Sequence, residues 1–388
     1  MRKFGTAFCS LSLRERGQSA WRPSTDMAAN AARVNGSIGP ILDHAPEDRA
    51  AVADEHRFAQ YVRTLGRGPG KSRNLTREEA REALGMILAG EVDPHQVGAF
   101  MMLLRYRGED PDEIAGLVDA ARASMEAGAP EGCRGVDLDW PSYGAGRSRG
   151  EPWFLLSALA LGRAGYRVLM HGSNEFSRGT AVADGLQALG MRPAADRADA
   201  VRLLDATGFA YLPLEVFSPA LNRLLRLRSL LGLRSPLNTA ARLLNPFDAR
   251  AGVDGVFHPA YIALHLATAE RLGRERLVVV KGGGGEAERS AVKAVAAHWY
   301  DRAGGSGELG LVPAGALAGA EAREAGLAEV WLGAPGAGAA TALATVGLAL
   351  LALGAGADGL DALAARVWDG RLGAAGGGSA APAPVAAG

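Results

Sequence analysis

From residue 136 onward, short apolar runs alternate with longer helical stretches, and this alternation constrains the fold more than any other feature of the sequence. Four runs have the length and apolar character of buried strands, namely residues 136–138, 166–170, 209–212 and 277–280. Residues 153–164 and 180–189 lie between them and have helical patterns. Strands that alternate with helices predict a mainly parallel sheet that is covered by helices.

Residues 57–130 have a different pattern, which is typical of a small bundle of helices. Thr76 and Glu79 have the spacing of a capping box at the start of a helix. Asp-Pro pairs at residues 93–94 and 110–111 begin two further helices, because proline is tolerated in a first turn. Apolar residues at helical spacing follow each of these starts.

The sequence therefore predicts an α/β protein with two folded domains, as its length of 388 residues suggests. A small N-terminal helical domain covers residues 57–130, and a larger, mainly parallel α/β domain covers residues 131–372. Residues 1–56 lack sustained periodicity, and residues 373–388 are an Ala/Gly/Pro tail. We expect both of these segments to be disordered.

The overall composition and charge of the chain do not by themselves predict a binding partner. The chain has 42 basic and 42 acidic residues, so any interaction with a polyanion must depend on local clusters. Of its two cysteines, Cys9 lies in the segment expected to be disordered, so a disulfide with Cys133 is not expected and a cytoplasmic location fits. The apolar segment 347–354 is too short to span a bilayer, so no membrane partner is expected.

The segment RSLLGLRSPLNTAARLLNP, residues 228–246, is basic and rich in leucine and contains no acidic residue. Its candidate anion contacts are Arg228, Arg234 and Arg242. Arginine suits phosphate because its planar guanidinium binds two oxygens at once. The segment indicates either a positive groove that contacts phosphates or a set of solvated arginines and ion pairs.

A second basic segment, GRGPGKSR at residues 66–73, resembles a phosphate-binding loop only superficially. Leu65 occupies the place where such a loop needs its first glycine, which argues against nucleotide hydrolysis of that type. Arg67, Lys71 and Arg73 are either phosphate contacts on a mobile loop or parts of a solvated linker.

Further candidates lie after the predicted strands, where open α/β sheets bind their ligands. Arg147 and Arg149 contact a polyanion or form ion pairs, for example with Glu151. Lys281 precedes the glycine run 282–285, which permits close approach of the backbone to a ligand. The remaining crevice candidates are Tyr143, Gly144, His171, Gly172, Asn238 and Gly283. Of these, Tyr143 either stacks on an exposed base or packs in the core. His171 is either a contact in the crevice or a hydrogen-bonded structural residue.

The order of these segments resembles the anthranilate phosphoribosyltransferase family, which has the glycosyltransferase family 3 fold. Residues 228–246 match that family's R-x-x-LGxR frame, and GVFHPAY at residues 255–261 matches its GVxxP turn. The resemblance covers residues 57–372. It implies a nucleoside phosphorylase/phosphoribosyltransferase-like fold and a homodimer.

The same comparison shows departures at the motifs that carry the family's catalysis. Where those enzymes have a GTGGDG loop that cradles pyrophosphate, this chain has VDLDWPSYGAGRSRG, in which Pro141 lacks an amide donor. The magnesium-binding Asp-Glu pair falls on Ala287 and Glu288. One carboxylate of the pair is lost, so no metal site is expected, and Glu288 is only a weak candidate ligand.

These departures resemble the YbiB-like branch of the fold, whose members are described as nucleic-acid-binding proteins without the biosynthetic activity. The resemblance implies non-catalytic, largely sequence-independent binding of DNA or RNA by a dimer, with no catalytic residues and no cofactor. The alternative is a phosphoribosyltransferase with an altered substrate, which would use phosphoribosyl pyrophosphate and magnesium. The sequence does not distinguish DNA from RNA as the polymer.

Overall fold

Among the described residues, four helices precede the sheet, and side chains cap the starts of the last three. The computed structural model describes residues 56–68, 70–125, 127–144, 150–173, 175, 179–317 and 325–373. The helices are α1 (Ala59–Gly66), α2 (Arg77–Ala89), α3 (Pro94–Arg107) and α4 (Pro111–Ser124). The predicted capping box is confirmed, because Thr76 accepts a hydrogen bond from the Glu79 N–H and Glu79 accepts one from the Thr76 N–H. Asp93 and Asp110 cap α3 and α4 in front of their prolines, as predicted.

Helices α2 and α4 pack closely because a glycine lies between them. A Cβ atom on Gly116 would lie 2.1 Å from the Arg77 carbonyl oxygen. A larger side chain at this position would therefore force the two helices apart.

The chain then builds a seven-stranded sheet in the order β3-β2-β1-β4-β5-β6-β7. Its strands are β1 (Leu138–Ser142), β2 (Val168–Gly172), β3 (Phe209–Pro213), β4 (Ala251–Val256), β5 (Arg276–Lys281), β6 (Val295–Asp301) and β7 (Gly305–Leu311). Strands β1 to β5 pair in parallel, whereas β6 and β7 are antiparallel. The prediction of a mainly parallel α/β sheet is confirmed, and each predicted run overlaps a strand. The sequence patterns missed β4, β6 and β7.

Helices cover both faces of this sheet. They are α5 (Trp153–Arg163), α6 (Val182–Ala188), α7 (Arg197–Thr207), α8 (Leu214–Phe217), α9 (Pro219–Leu231), α10 (Leu237–Arg242), α11 (Ala260–Arg271), α12 (Leu327–Trp331), α13 (Ala337–Ala352) and α14 (Leu360–Gly370). Successive strand residues alternate between two core clusters, as Leu169 and Met170 on β2 show. The cluster that contains Leu169 also contains the apolar side chains of α2 and α4.

The described residues from His56 onward belong to one compact unit. Helices α2 and α4 share a core with the sheet. The predicted domain boundary at residue 130 therefore stays a prediction. Apart from His56 and Gly373, the segments expected to be disordered lie outside the described residues. None of the described helices is long and apolar enough to cross a membrane.

Candidate anion-binding cavity

A cavity of about 340 Å³ lies where strands β1, β4 and β5 end. Tyr143 follows β1, Phe257 follows β4, and Gly285 follows β5 on its walls. Arg105 on helix α3 and Glu109, which follows the end of that helix, come from the helical part of the chain. The carboxyl ends of parallel strands are where open α/β sheets bind ligands, so this position favours a binding site.

Arginines give the cavity its positive charge. Arg228 near the end of α9, Arg234 in the following turn and Arg105 on α3 all border it. Burial lowers the pKa of Arg234, and the neighbouring Arg228 and Arg242 lower it further. Among the described residues, no carboxylate lies within ion-pair distance of Arg234. Its positive charge is therefore available to an anion in the cavity.

A polar part of the cavity wall is held together by Glu109. Its carboxylate accepts hydrogen bonds from the Thr239 hydroxyl at 2.5 Å and from the Tyr261 hydroxyl at 3.1 Å. It also lies 3.5 Å from the Arg105 guanidinium. Asn238 borders the cavity too, and its side-chain oxygen accepts from the Ser235 N–H at 3.2 Å. Glu109 thus holds these side chains in place, and Arg105 and the two hydroxyl donors largely neutralise the negative charge of its carboxylate.

The third predicted arginine, Arg242, has a different role. Its guanidinium is only 11 % exposed and donates to the buried Asp254 at 2.8 Å, with Glu286 at 3.8 Å. His265 Nδ1 lies 2.7 Å from the other oxygen of Asp254. Burial alone would raise the pKa of Asp254, but Arg242 and His265 outweigh it and hold that pKa below its usual value. Arg242 was expected to be an added cation for phosphates, and the fold instead uses its charge to balance buried carboxylates.

The carboxylates near the predicted metal position are also engaged by the chain itself. Glu286 is buried and accepts a hydrogen bond from the Gly144 N–H at 2.5 Å. Glu288 accepts from the Phe154 N–H in the first turn of α5 at 3.1 Å. Backbone N–H groups of a loop and of a helix start are the donors that would otherwise hold a phosphate. Here two carboxylates take that place.

This arrangement does not fit a magnesium ion. Magnesium requires oxygen ligands in a near-octahedral set. Glu286 and Glu288 direct oxygens at backbone donors, and Arg242 brings a positive charge close to Glu286. Within the part of the chain that the structure describes, no group of three His, Cys, Asp or Glu side chains is placed to hold a metal. The weak candidate Glu288 therefore has a structural partner in place of a metal.

His171 is a buried structural residue, in agreement with the alternative given for it. Its Nδ1 lies 3.1 Å from the Tyr143 hydroxyl, and its Nε2 lies 3.2 Å from Asp139. Burial raises the pKa of Tyr143 well above its usual value, so the phenol stays neutral. Gly172 is required beside it, because a Cβ there would lie 1.6 Å from the Ser142 carbonyl oxygen. Only 5 % of Tyr143 is exposed, which limits its use as a stacking surface.

The structure brings some predicted site residues together and separates others. Those that border the cavity are Arg228, Arg234, Asn238, Arg242 and Tyr143. Gly144 and Gly283 are adjacent in sequence to Tyr143 and Gly284, which border the cavity. The predicted contacts Arg67, Lys71, Arg73 and Lys281 do not line it, and Arg147 and Arg149 lie outside the described residues. Arg73 forms a two-pronged ion pair with Glu79, at 2.6 and 2.7 Å.

Sequence reasoning missed Arg105, Glu109, Asp254 and His265. The first two come from α3 and the loop after it, more than 100 residues from the segment 228–246, and no local pattern connects them to the cavity. Asp254 left a usable signal, because an acidic residue in the apolar run GVDGV requires a buried partner. His265 lies one helical turn after Tyr261 on α11, and its role depends on Asp254.

Comparisons with known proteins agree with this architecture. Residues 59–125 match the helical bundle domain of a glycosyl transferase family, and residues 154–313 match the α/β domain of the same family. The crystal structure of anthranilate phosphoribosyltransferase from Thermus thermophilus superposes with a TM-score of 0.65 and 25% identity, covering 82% of this chain and 95% of that one. The Saccharomyces cerevisiae enzyme in complex with PRPP and Mg has the same fold, at a TM-score of 0.65 and 18% identity.

Sequence relatives carry the same name. The anthranilate phosphoribosyltransferase of Azorhizobium caulinodans is 32% identical over 312 residues, which cover 76% of this chain and 89% of the relative. That of Methylobacterium radiotolerans is 34% identical over 212 residues, or 54% of this chain. The latter match spans only 60% of the relative's length.

Proposed function

Because the chain belongs to the anthranilate phosphoribosyltransferase family, we propose that its arginine-lined cavity binds the anionic substrates of a phosphoribosyl transfer with an altered substrate. One observation carries this proposal: Arg105, Arg228 and Arg234 border a single cavity of about 340 Å³. That volume suits a small molecule better than a polymer. The names of the relatives also favour a transferase over the nucleic-acid binding expected from the sequence resemblance.

The proposed reaction needs positive charge where a phosphate group leaves. In a transfer from phosphoribosyl pyrophosphate, a nucleophile bonds to the ribose carbon while the bond from that carbon to pyrophosphate breaks. The pyrophosphate departs with the bonding electrons, so negative charge develops on it. Guanidinium groups in a partly buried cavity stabilise such charge, and Arg234 has no carboxylate partner among the described residues to weaken it.

A resident metal forms no part of this proposal, because Glu286 and Glu288 do not fit one. We therefore expect the arginines to meet the phosphate charge themselves. Binding of phosphoribosyl pyrophosphate should be similar with magnesium and with a chelator present.

Titration calorimetry at fixed ionic strength tests the proposal. Phosphoribosyl pyrophosphate should bind saturably, and Arg234→Gln should weaken it by about 10-fold or more, since a hydrogen bond to a charged group is lost. Arg223→Gln is the matched control, because Arg223 is an exposed arginine on α9 that does not border the cavity. Absence of saturable binding, with or without magnesium, would rule the proposal out. Product formation with anthranilate then shows whether the acceptor is altered.

A second candidate function, binding of single-stranded nucleic acid, is favoured by an aromatic pair at the mouth of the cavity. Phe257 is 47% exposed, and its ring centroid lies 4.7 Å from that of His258. Exposed aromatic rings beside arginines are a common surface for stacking bases. Fluorescence anisotropy with labelled oligonucleotides should then show binding that falls steeply with salt and weakens in Phe257→Ala. No binding at low salt would exclude this function.

The homodimer implied by the sequence resemblance and a cytoplasmic location are also proposals. Light scattering after size-exclusion chromatography tests the first, with the mass of two 388-residue chains expected. Microscopy of a tagged chain in cells tests the second.

A further inference from the structure

His265 presents an unused hydrogen-bonding atom to the cavity. Its ring borders the cavity, and only 1 % of the residue is exposed. Nδ1 lies 2.7 Å from an oxygen of Asp254. An ionised carboxylate can only accept a hydrogen bond, so Nδ1 carries the proton. In the neutral ring the other nitrogen, Nε2, is then an acceptor.

Asp254 fixes the orientation of this ring. It is fully buried, and its Oδ1 accepts hydrogen bonds from Arg242 at 2.8 Å and from the Gly255 N–H at 2.7 Å. Its second oxygen is left for His265. The second hydrogen bond of an imidazole determines which nitrogen faces a ligand, so Asp254 is a positioning residue for Nε2.

Arginines border the same cavity as His265, and no described residue donates a hydrogen bond to Nε2. Among the described residues, the hydrogen bonding of His265 is confined to Nδ1. Glu109 also borders the cavity, but Thr239 and Tyr261 already donate to its carboxylate. An acceptor on a cavity wall that loses its water when a ligand enters costs free energy unless the ligand donates to it, as a ligand with an O–H group does.

We propose that the ligand of the cavity is an oxyanion with its own O–H group, which donates to His265 Nε2 while the arginines bind its anionic oxygens. This inference rests on the proposed function, since it requires an anion in the cavity. Its direct consequence is selectivity for hydrogen phosphate over sulfate. The two ions are tetrahedral dianions of similar size, and only hydrogen phosphate carries a proton to donate.

Calorimetry with sodium phosphate and sodium sulfate tests the inference on the full chain, at matched ionic strength. Both ions are measured at the same mildly alkaline pH, where each is a dianion. Phosphate should bind about 10-fold or more tightly than sulfate, because bound sulfate leaves this acceptor without a donor.

His265→Asn is the matched variant. The asparagine amide can donate to Asp254 in place of Nδ1, but it has no atom in the place of Nε2. Phosphate affinity should fall to the level of sulfate, and sulfate affinity should stay unchanged. His298→Asn is the control, because His298 also lies beside a carboxylate, Glu308 at 3.5 Å, but does not border the cavity.

Equal affinity for the two ions in the unmodified protein overturns the inference, as does a preference that survives His265→Asn. If that variant does not fold, nitrogen-15 NMR of the unmodified protein decides, since phosphate but not sulfate must shift an imidazole Nε2 resonance. If phosphoribosyl pyrophosphate binds but neither ion does, the inference fails and the proposed function stands. If none of the three binds, both fail.

Discussion

The two sides of the crevice carry charged residues that are used in different ways. On one side, the segment 228–246 places Arg228 and Arg234 on the cavity wall. On the other, the turn after β5 places Glu286 and Glu288 against backbone N–H groups of the chain itself. Arg234 has no ion-pair partner among the described residues, whereas the two carboxylates are engaged by the chain. Residue type alone therefore does not reveal a binding site.

Arg234 and Arg242 show the same contrast within one short segment. Both border the cavity, and both were expected to contact phosphates. Arg242 neutralises Asp254 and lies near Glu286, whereas Arg234 is surrounded by other cations. The first arginine belongs to the folded core, and the second belongs to the site.

The largest effect is expected from removal of Arg242. Arg242→Met leaves Asp254 and Glu286 buried without their counter-ion, which should lower the free energy of unfolding by about 3–5 kcal/mol. Urea denaturation of the variant and of Arg223→Met, an exposed control on α9, measures this. A loss below about 1 kcal/mol would mean that the cluster does not depend on Arg242, and the contrast with Arg234 would break.

An intermediate effect is expected at Glu113, a buried carboxylate without a guanidinium in contact among the described residues. Burial raises its pKa from 4.5 to about 7, although the Leu75 N–H donates to it at 2.7 Å. The folded state thus holds this proton more tightly than the unfolded state. Its contribution to stability is full below about pH 4.5 and is lost as the pH rises through 7.

Glu113→Gln removes this titration. The stability of the unmodified protein, relative to the variant, should fall by roughly 3 kcal/mol between pH 4.5 and pH 8. Denaturation at a series of pH values measures the difference. A constant difference across this range would show that Glu113 ionises normally. Burial of its ionised carboxylate without a counter-ion would then cost less free energy than we infer.

The smallest effect on stability is expected from Arg234→Gln, the variant that should weaken ligand binding. Arg234 has no ion-pair partner to lose among the described residues, and its removal relieves repulsion from Arg228 and Arg242. The free energy of unfolding should stay within about 0.5 kcal/mol of the original or rise slightly. A marked loss in the same denaturation series would assign Arg234 to the folded core and remove the distinction from Arg242.

Much of the fold could be predicted from local patterns. The capping box at Thr76 and the Asp-Pro starts of α3 and α4 depend on residues three or fewer positions apart. The apolar runs that overlap β1, β2, β3 and β5 indicate buried parallel strands in the same way. Strand β4 was missed because glycine and Asp254 interrupt its apolar character, and the β6–β7 pair contains alternating exposed residues and glycine.

The candidate site was only partly predictable. Arg228, Arg234 and Asn238 stood out because they lie in one distinctive segment. His265, Arg105 and Glu109 could not be connected to them, since they lie far from that segment in the sequence. The sequence by itself determined the helical starts, the parallel strands and the presence of a basic segment, because these depend on near neighbours. Only the tertiary structure decided which arginine is balanced and which is available, because Coulomb partners such as Asp254 and Glu286 are brought within reach by folding.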